Sequence, residues 1–194
     1  STNINTVSKI IIDSTSKFAK PNKNESARFL TQATFGPNLT AINDLTTKTY
    51  ENWLAEQMSL TPTYLRPLLS TTVDDDLPWS VHVDPWWKAV IQGNDQLRQR
   101  VAFALSEILV ISDQTGLGNY KNGLANYYDI LIRNSFGNYR SLLEEVTLSP
   151  MMGLYLSMLA NKKPNPAQNT RPDENYAREI MQLFTIGLYE LNLD

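Results

Sequence analysis

Apolar residues recur at helical spacing through most of the chain, and turn-forming residues separate the apolar stretches. Between residues 25 and 58 this pattern predicts three short helices, the first of which ends before Gly36-Pro37. Further helices are predicted over 85–92, 95–111, 123–135, 138–148, 150–160 and 171–188. No run of alternating β-branched residues is long enough for a strand. We therefore predict an all-α fold, an irregular multi-helix bundle of about eight helices.

Two segments lack the helical pattern. Residues 1–24 are rich in Ser, Thr, Asn and Lys and contain one apolar cluster at 10–12, so we predict an N-terminal arm that lies on the domain surface. Residues 59–84 contain three prolines without a sustained period, which predicts an extended connection. The remaining length suits a single helical domain over 25–194.

The predicted helix over 95–111 contains an almost wholly apolar run. Residues 101–111 are apolar except for Ser106 and Glu107. A helix that is apolar nearly all round is expected at the centre of a fold, which would bury Glu107. A buried carboxylate needs a cationic partner, because an unpaired one costs several kcal/mol. We therefore predict a buried ion pair between Glu107 and Arg178, with Arg100 or Arg28 as the next candidates.

The predicted helix over 171–188 carries a strip of polar residues and is expected to pack beside the helix over 95–111. Its members are Glu174, Asn175, Arg178, Glu179 and Gln182. At 3.6 residues per turn they gather on one side, where Glu174 faces Arg178 and Asn175 faces Glu179. This arrangement predicts a polar network between helices that also includes Glu107, Arg28 and Arg100. The alternative is a solvated outer face.

Five motifs in order along the chain carry a family resemblance. They are ARFLTQATFGP (27–37), WW (86–87), LRQRVAFALSEILV (97–110), LLEEVTLSPMMG (142–153) and ENYAREIMQLFTIG (174–187). Together they resemble the large bacterial family called domain of unknown function 1800. The family's polar signature matches at Glu174, Asn175, Arg178 and Glu179. Gln182 and Phe184 replace the Glu and His of many members, which argues against a histidine-dependent metal or acid–base role.

The resemblance implies export and a longer polypeptide. Family members are exported bacterial proteins, often with a leader, and further helices usually follow the last motif. We therefore expect the chain to contact the remainder of its own polypeptide beyond Asp194. Leu188, Leu191 and Leu193 fit this expectation, because they predict an apolar surface that the chain alone leaves uncovered.

Composition excludes several classes of site. The chain has no cysteine, which excludes disulfides, zinc–thiolate centres and thiol nucleophiles within it. The net charge of −3 is spread without a basic patch, which argues against nucleic-acid binding. No stretch reaches the length of a transmembrane helix. With His82 as the single histidine, we expect neither a metal nor a cofactor.

Two functions from different classes remain open. The first is a non-catalytic scaffold or binding module, exported to the periplasm or cell surface. The second is a helical hydrolase that acts on glycans through Glu107 with Glu174 or Glu179, as paired carboxylates can. In that case polysaccharide would be the partner, and sugars would stack on Trp79, Trp86, Trp87, Tyr127 and Tyr128. Carboxylates in a closed arginine interface favour the scaffold, and carboxylates in an open cleft lined by tryptophan favour the hydrolase.

Overall fold

The computed structural model describes residues 19–69, 83–114 and 116–187. Within these ranges the chain forms nine α-helices: α1 Lys23–Ala33, α2 Leu39–Leu45, α3 Tyr50–Ser59, α4 Asp84–Gln92, α5 Gln96–Ser106, α6 Lys121–Asn134, α7 Tyr139–Leu148, α8 Pro150–Tyr155 and α9 Asn175–Met181. The described residues contain no β-strand, only an isolated bridge between Asn165 and Thr170. The predicted all-α multi-helix fold is confirmed.

Local sequence signals set most helix boundaries. The Asn22 side chain accepts hydrogen bonds from the first turn of α1, and Glu25 accepts one from the Asn22 backbone N–H at 2.8 Å. This reciprocal capping box satisfies N–H groups that a helix start otherwise leaves open. Proline in the first turn begins α4 and α8, where its missing N–H costs nothing. Helix α4 ends at Gln92 with Gly93 as its C-cap residue, as the sequence predicts.

Helix α5 lies at the centre of the fold, as predicted. It packs against α1, α3, α4 and α6, and α6 continues the contacts to α7 and α8. The main apolar core is built around these helices and includes Ala102, Leu131, Ile132 and Val146. A smaller core near the N-terminus consists of Leu30, Leu45 and Trp53 with the Phe29 ring against Trp53.

Helix α5 ends at Ser106, five residues before the predicted end. The Ser106 hydroxyl donates to the Phe103 carbonyl at 2.7 Å, and Glu107 follows as the C-cap residue. A negative charge at a helix C-terminus opposes the helix dipole, and the β-branched residues that follow lose side-chain freedom in a helix. The apolar run after Glu107 is therefore a turn in which Leu109 is buried.

Helix α9 packs on α7, and the prediction that it packs beside α5 is wrong. The Tyr176 hydroxyl lies 2.5 Å from the Thr147 hydroxyl of α7, and the Tyr139 hydroxyl donates to the Phe184 carbonyl at 2.6 Å. Both hydrogen bonds anchor the C-terminal segment to α7.

Several predictions concern residues outside the described ranges. They include the first eighteen residues of the predicted arm and the C-terminal leucines at 188, 191 and 193. Trp79 and His82 lie outside them as well. Among the described helices, none has the length and apolar character needed to cross a bilayer.

Candidate functional site

The buried polar residues of α5 and its N-cap lie at its N-terminal end, ahead of the apolar run. Asp95 is 1% exposed and accepts hydrogen bonds from the Thr63 backbone N–H at 2.9 Å and the Thr63 hydroxyl at 2.7 Å. The fully buried Gln99 amide donates to the Thr63 carbonyl at 2.8 Å and to Asp95 at 3.1 Å. These bonds hold the extended connection after α3 against α5.

Arg98 fixes three other parts of the chain at the same end of α5. Its guanidinium donates to the Met58 carbonyl at 3.2 Å and to the Ile132 carbonyl at 3.4 Å. It also lies 4.4 Å from the centre of the Phe136 ring. Arg98 is 8% exposed, and its buried Nε has no hydrogen-bond partner among the described residues.

Asp129 of α6 anchors the same extended connection. Its carboxylate accepts the backbone N–H groups of Leu65 at 2.6 Å and Arg66 at 3.0 Å. Burial raises the pKa of Asp129 above its usual value, although the two backbone hydrogen bonds oppose the shift. Each of the buried polar side chains described so far therefore binds at least one backbone group: Asp95, Arg98, Gln99 and Asp129.

Glu107 is exposed, so the predicted buried ion pair with Arg178 is wrong. Within the described residues, no arginine forms a salt bridge with it. Glu107 follows Arg98 by nine residues, about two and a half turns, so it projects from the opposite side of the helix. The apolar sequence around Glu107 does not bury it because position 107 lies off the buried stripe of α5 formed by Arg98, Gln99 and Ala102.

The predicted polar network divides into separate local contacts. Arg178 pairs with Glu174 at 2.5 Å, and the two side chains are 61% and 74% exposed. The Asn175 backbone N–H donates to the Asp173 carboxylate at 2.9 Å. These residues form a solvated outer face, which is the alternative considered for this strip.

The remaining predicted network members also lie apart from Glu107. The Arg100 guanidinium stacks over the rings of Phe35 and Phe103, and its Nε donates to the Gln32 carbonyl at 3.4 Å. Arg28 is exposed on α1. Glu179 and Gln182 are half-buried on α9, and one buried carboxylate oxygen of Glu179 has no hydrogen-bond partner within the described part of the chain.

A cavity of about 520 Å³ opens between α4, α5, α6 and the turn after α5. Glu107 and Asp113 are the acidic residues that line it. Its inner wall is apolar and includes the buried side chains of Leu65, Leu109 and Leu131. This is the place where the structure brings a predicted carboxylate together with predicted aromatic residues.

Four aromatic side chains line the cavity, and hydrogen bonds fix three of them. Trp86 Nε1 donates to the Tyr128 hydroxyl at 2.8 Å, and the Tyr127 hydroxyl donates to the Leu109 carbonyl at 2.6 Å. Phe103 completes the set, with its ring centre 5.9 Å from that of Trp86. The wall is therefore preorganised, because little side-chain freedom remains to be lost on binding.

Burial controls the ionisation of the two tyrosines. Burial raises the pKa of Tyr128 to about 12, and the negative charge of Glu107 adds to the increase. Burial also raises the pKa of Tyr127. Both hydroxyls stay protonated at neutral pH, so carboxylates are the only source of negative charge in the described cavity wall.

Of the aromatic residues named for the hydrolase alternative, Trp86, Tyr127 and Tyr128 line the cavity with Glu107, whereas the sequence predicted neither the cavity nor Asp113. Trp87 is exposed beside Trp86, with ring centres 4.8 Å apart. Glu174 and Glu179 do not line the cavity. Across the described ranges, no group of three His, Cys, Asp or Glu residues is placed to hold a metal ion.

Comparison with known proteins identifies one family. The model of the family described as "Protein of unknown function (DUF1800)" matches residues 28–191. No curated protein and no solved structure matches the chain.

Proposed function

Because the chain belongs to the DUF1800 family, whose description specifies no activity, we propose a function from the cavity itself. The chain is a non-catalytic binding module that holds a small ligand between α4, α5 and α6. The observation that carries this proposal is Glu107, an exposed carboxylate that faces a preorganised aromatic cavity without an ion pair to any described arginine.

The dimensions and chemistry of the cavity support ligand binding. Small-molecule sites typically measure about 300–1,000 Å³ and have mostly apolar walls with a few oriented polar groups. A cavity of about 520 Å³ with three buried leucines, four aromatic rings and a carboxylate meets this description. Asp95, Gln99 and Asp129 bind the protein's own backbone, so they hold the fold together. Glu107 instead lines the cavity, where it can contact a ligand.

The glycan-hydrolase alternative has weaker support. Glycoside cleavage needs two carboxyl groups about 5–10 Å apart on either side of the scissile bond. Glu174 and Glu179 lie on α9, which packs on α7, and neither lines the cavity that contains Glu107. Incubation with oligosaccharides and assay for new reducing ends tests this alternative directly, and we expect no release.

Export to the periplasm or cell surface of a bacterium is part of the same proposal. Its support is the family resemblance. Fractionation of the native host, with antibody against this domain and a cytosolic marker enzyme, tests it. Recovery of the domain with the cytosolic marker alone would contradict the proposed location.

A blocked cavity tests the binding function even while the ligand is unidentified. Val110 lines the cavity and is 45% exposed, so Val110→Trp can fill the opening at little cost in stability. Leu148→Trp, at a site on α7 that is 75% exposed, adds the same side chain outside the cavity. We expect NMR fragment screening with small amines, alcohols, carboxylates and sugars to shift amide signals near Leu109 in the wild type and Leu148→Trp. The same shifts should be lost in Val110→Trp.

The proposal fails if no fragment perturbs these amides, or if Val110→Trp binds as the wild type does. Circular dichroism and thermal melting of both tryptophan variants establish that each is folded before the binding data are compared.

A further inference from the structure

The charge of the cavity wall selects among ligand classes. Glu107 and Asp113 are acidic, and the described residues that line the cavity include neither lysine nor arginine. One Asp113 oxygen accepts a hydrogen bond from the Gln114 side chain at 2.9 Å, so Asp113 already contacts the protein and Glu107 is the acidic group that a ligand can meet. The Glu107 carboxylate would repel an anionic ligand here and attract a cationic one.

The aromatic wall adds to this preference. The faces of Trp, Tyr and Phe rings attract cations, most strongly where water is excluded. The protein itself provides an example beside the cavity, because the Arg100 guanidinium lies 5.4 Å from the ring centre of Phe35 and 5.8 Å from that of Phe103. Phe103 and Trp86, which are in contact, both line the cavity.

Most hydroxyl groups of the wall already bond to the protein, which disfavours a sugar. The Tyr127 hydroxyl donates to Leu109, and the Ser106 hydroxyl donates to Phe103. The Tyr128 hydroxyl accepts from Trp86. A sugar buried in this cavity would leave several of its hydroxyls without partners, and each such group costs free energy.

We propose that the ligand is an organic cation, an amine or quaternary ammonium group attached to an apolar body. The cationic group lies at the exposed rim beside Glu107 and the rings of Trp86 and Tyr128. The apolar body extends inward against Leu109 and Leu131. This inference rests on the proposed binding function and specifies its ligand class.

Three probes of matched shape test the sign of the charge: phenylpropylamine, phenylpropanol and phenylpropanoate. Titration calorimetry with the folded wild-type chain should give the tightest binding for the amine, weaker binding for the alcohol and the weakest for the carboxylate. Glu107→Gln should lower the binding affinity for the amine by about tenfold or more, and it should change the affinity for the alcohol by less than about threefold.

Glu144→Gln is the matched control, because it removes the same charge from an exposed site on α7 that does not line the cavity. It should leave all three affinities unchanged. Cellohexaose serves as the probe for a glycan.

The outcomes separate the two proposals. Equal binding of amine and alcohol, or an equal loss of both in Glu107→Gln, overturns the cation proposal and leaves the binding function intact. If cellohexaose is the one probe that binds, and Val110→Trp abolishes its binding, the cation proposal is also overturned and the binding function stands. If none of the four probes binds, the cation proposal is wrong, and if the fragment screen also finds no ligand for the cavity, the binding function is wrong as well.

Discussion

The two ends of α5 carry polar residues in opposite environments. At the N-terminal end, Asp95, Arg98 and Gln99 are buried and bonded to the extended connection, to α3 and to α6. At the C-terminal end, Glu107 is exposed and faces a cavity. The same helix thus carries polar groups that tie the fold together at one end and a carboxylate that can meet a ligand at the other.

The comparison shows that hydrogen-bond partners, and not the residue type, decide whether a carboxylate holds the fold together or can meet a ligand. Asp95 and Glu107 are both acidic residues, and they cap the two ends of α5. Asp95 satisfies its oxygens with Thr63 and Gln99, so its removal leaves buried donors unpaired. Removal of Glu107 leaves no described donor unpaired. If this distinction holds, the stability of variants at the two ends of α5 should follow it.

Asp95→Ala should produce the largest loss of stability. The change leaves the partly buried Thr63 backbone N–H and one N–H of the buried Gln99 without a partner, at a cost of about 1–3 kcal/mol each. We therefore expect a loss of about 3 kcal/mol or more in urea unfolding at neutral pH. Glu144→Ala, at an exposed site on α7, should change the free energy of unfolding by less than about 0.5 kcal/mol. A similar result for both variants would contradict a structural role for Asp95.

A polar residue within an apolar run predicts burial correctly for Asp129 and wrongly for Glu107. Asp129 interrupts the apolar run YYDILI, and the reasoning that predicted burial for Glu107 holds for Asp129. The buried stripe of α5 follows helical spacing at 95, 98, 99 and 102, and position 107 falls off this stripe. Angular position therefore predicts burial here better than apolar composition does.

Helix boundaries were predictable where a residue's backbone chemistry determines them. Pro85, Pro150 and Gly93 mark starts and an end that match the structure. The end of α5 was not predictable from composition, because apolar residues continue through the turn to Ile111. Aromatic members of the cavity could be named from sequence, but the cavity could not, since it depends on how α4, α5 and α6 pack together.

The pH dependence of stability should identify Asp129 as the buried carboxylate whose ionisation opposes folding. Burial raises its pKa in the folded state, so its contribution to stability is complete below the unfolded value of about 3.9 and is lost as pH rises through the folded pKa. As pH rises through this range, the free energy of unfolding of the wild type should fall relative to that of Asp129→Asn. Urea unfolding of both proteins from pH 3 to pH 7 measures the difference. A difference that stays constant or grows with pH would contradict the raised pKa.

Glu107→Gln should change the free energy of unfolding by no more than about 0.5 kcal/mol, because the side chain is exposed and pairs with no described arginine. A buried ion pair would predict a loss of about 3–5 kcal/mol when one partner is removed. Thermal and urea unfolding of Glu107→Gln distinguish these values clearly. A large loss would place Glu107 with Asp95 among the structural residues and remove the contrast between the two ends of α5.

The smallest effect should come from the strip on α9, where Glu174 and Arg178 pair across one helical turn. Both side chains are more than half exposed, so solvent and salt screen their attraction. A double-mutant cycle with Glu174→Gln, Arg178→Met and the combined variant should give a coupling of roughly 0.3–0.5 kcal/mol that falls as salt is added. Coupling above about 1 kcal/mol, insensitive to salt, would require a desolvated pair. That result would show that the strip helps to hold the fold together. Exposure would then no longer distinguish the structural polar residues of this fold from the others.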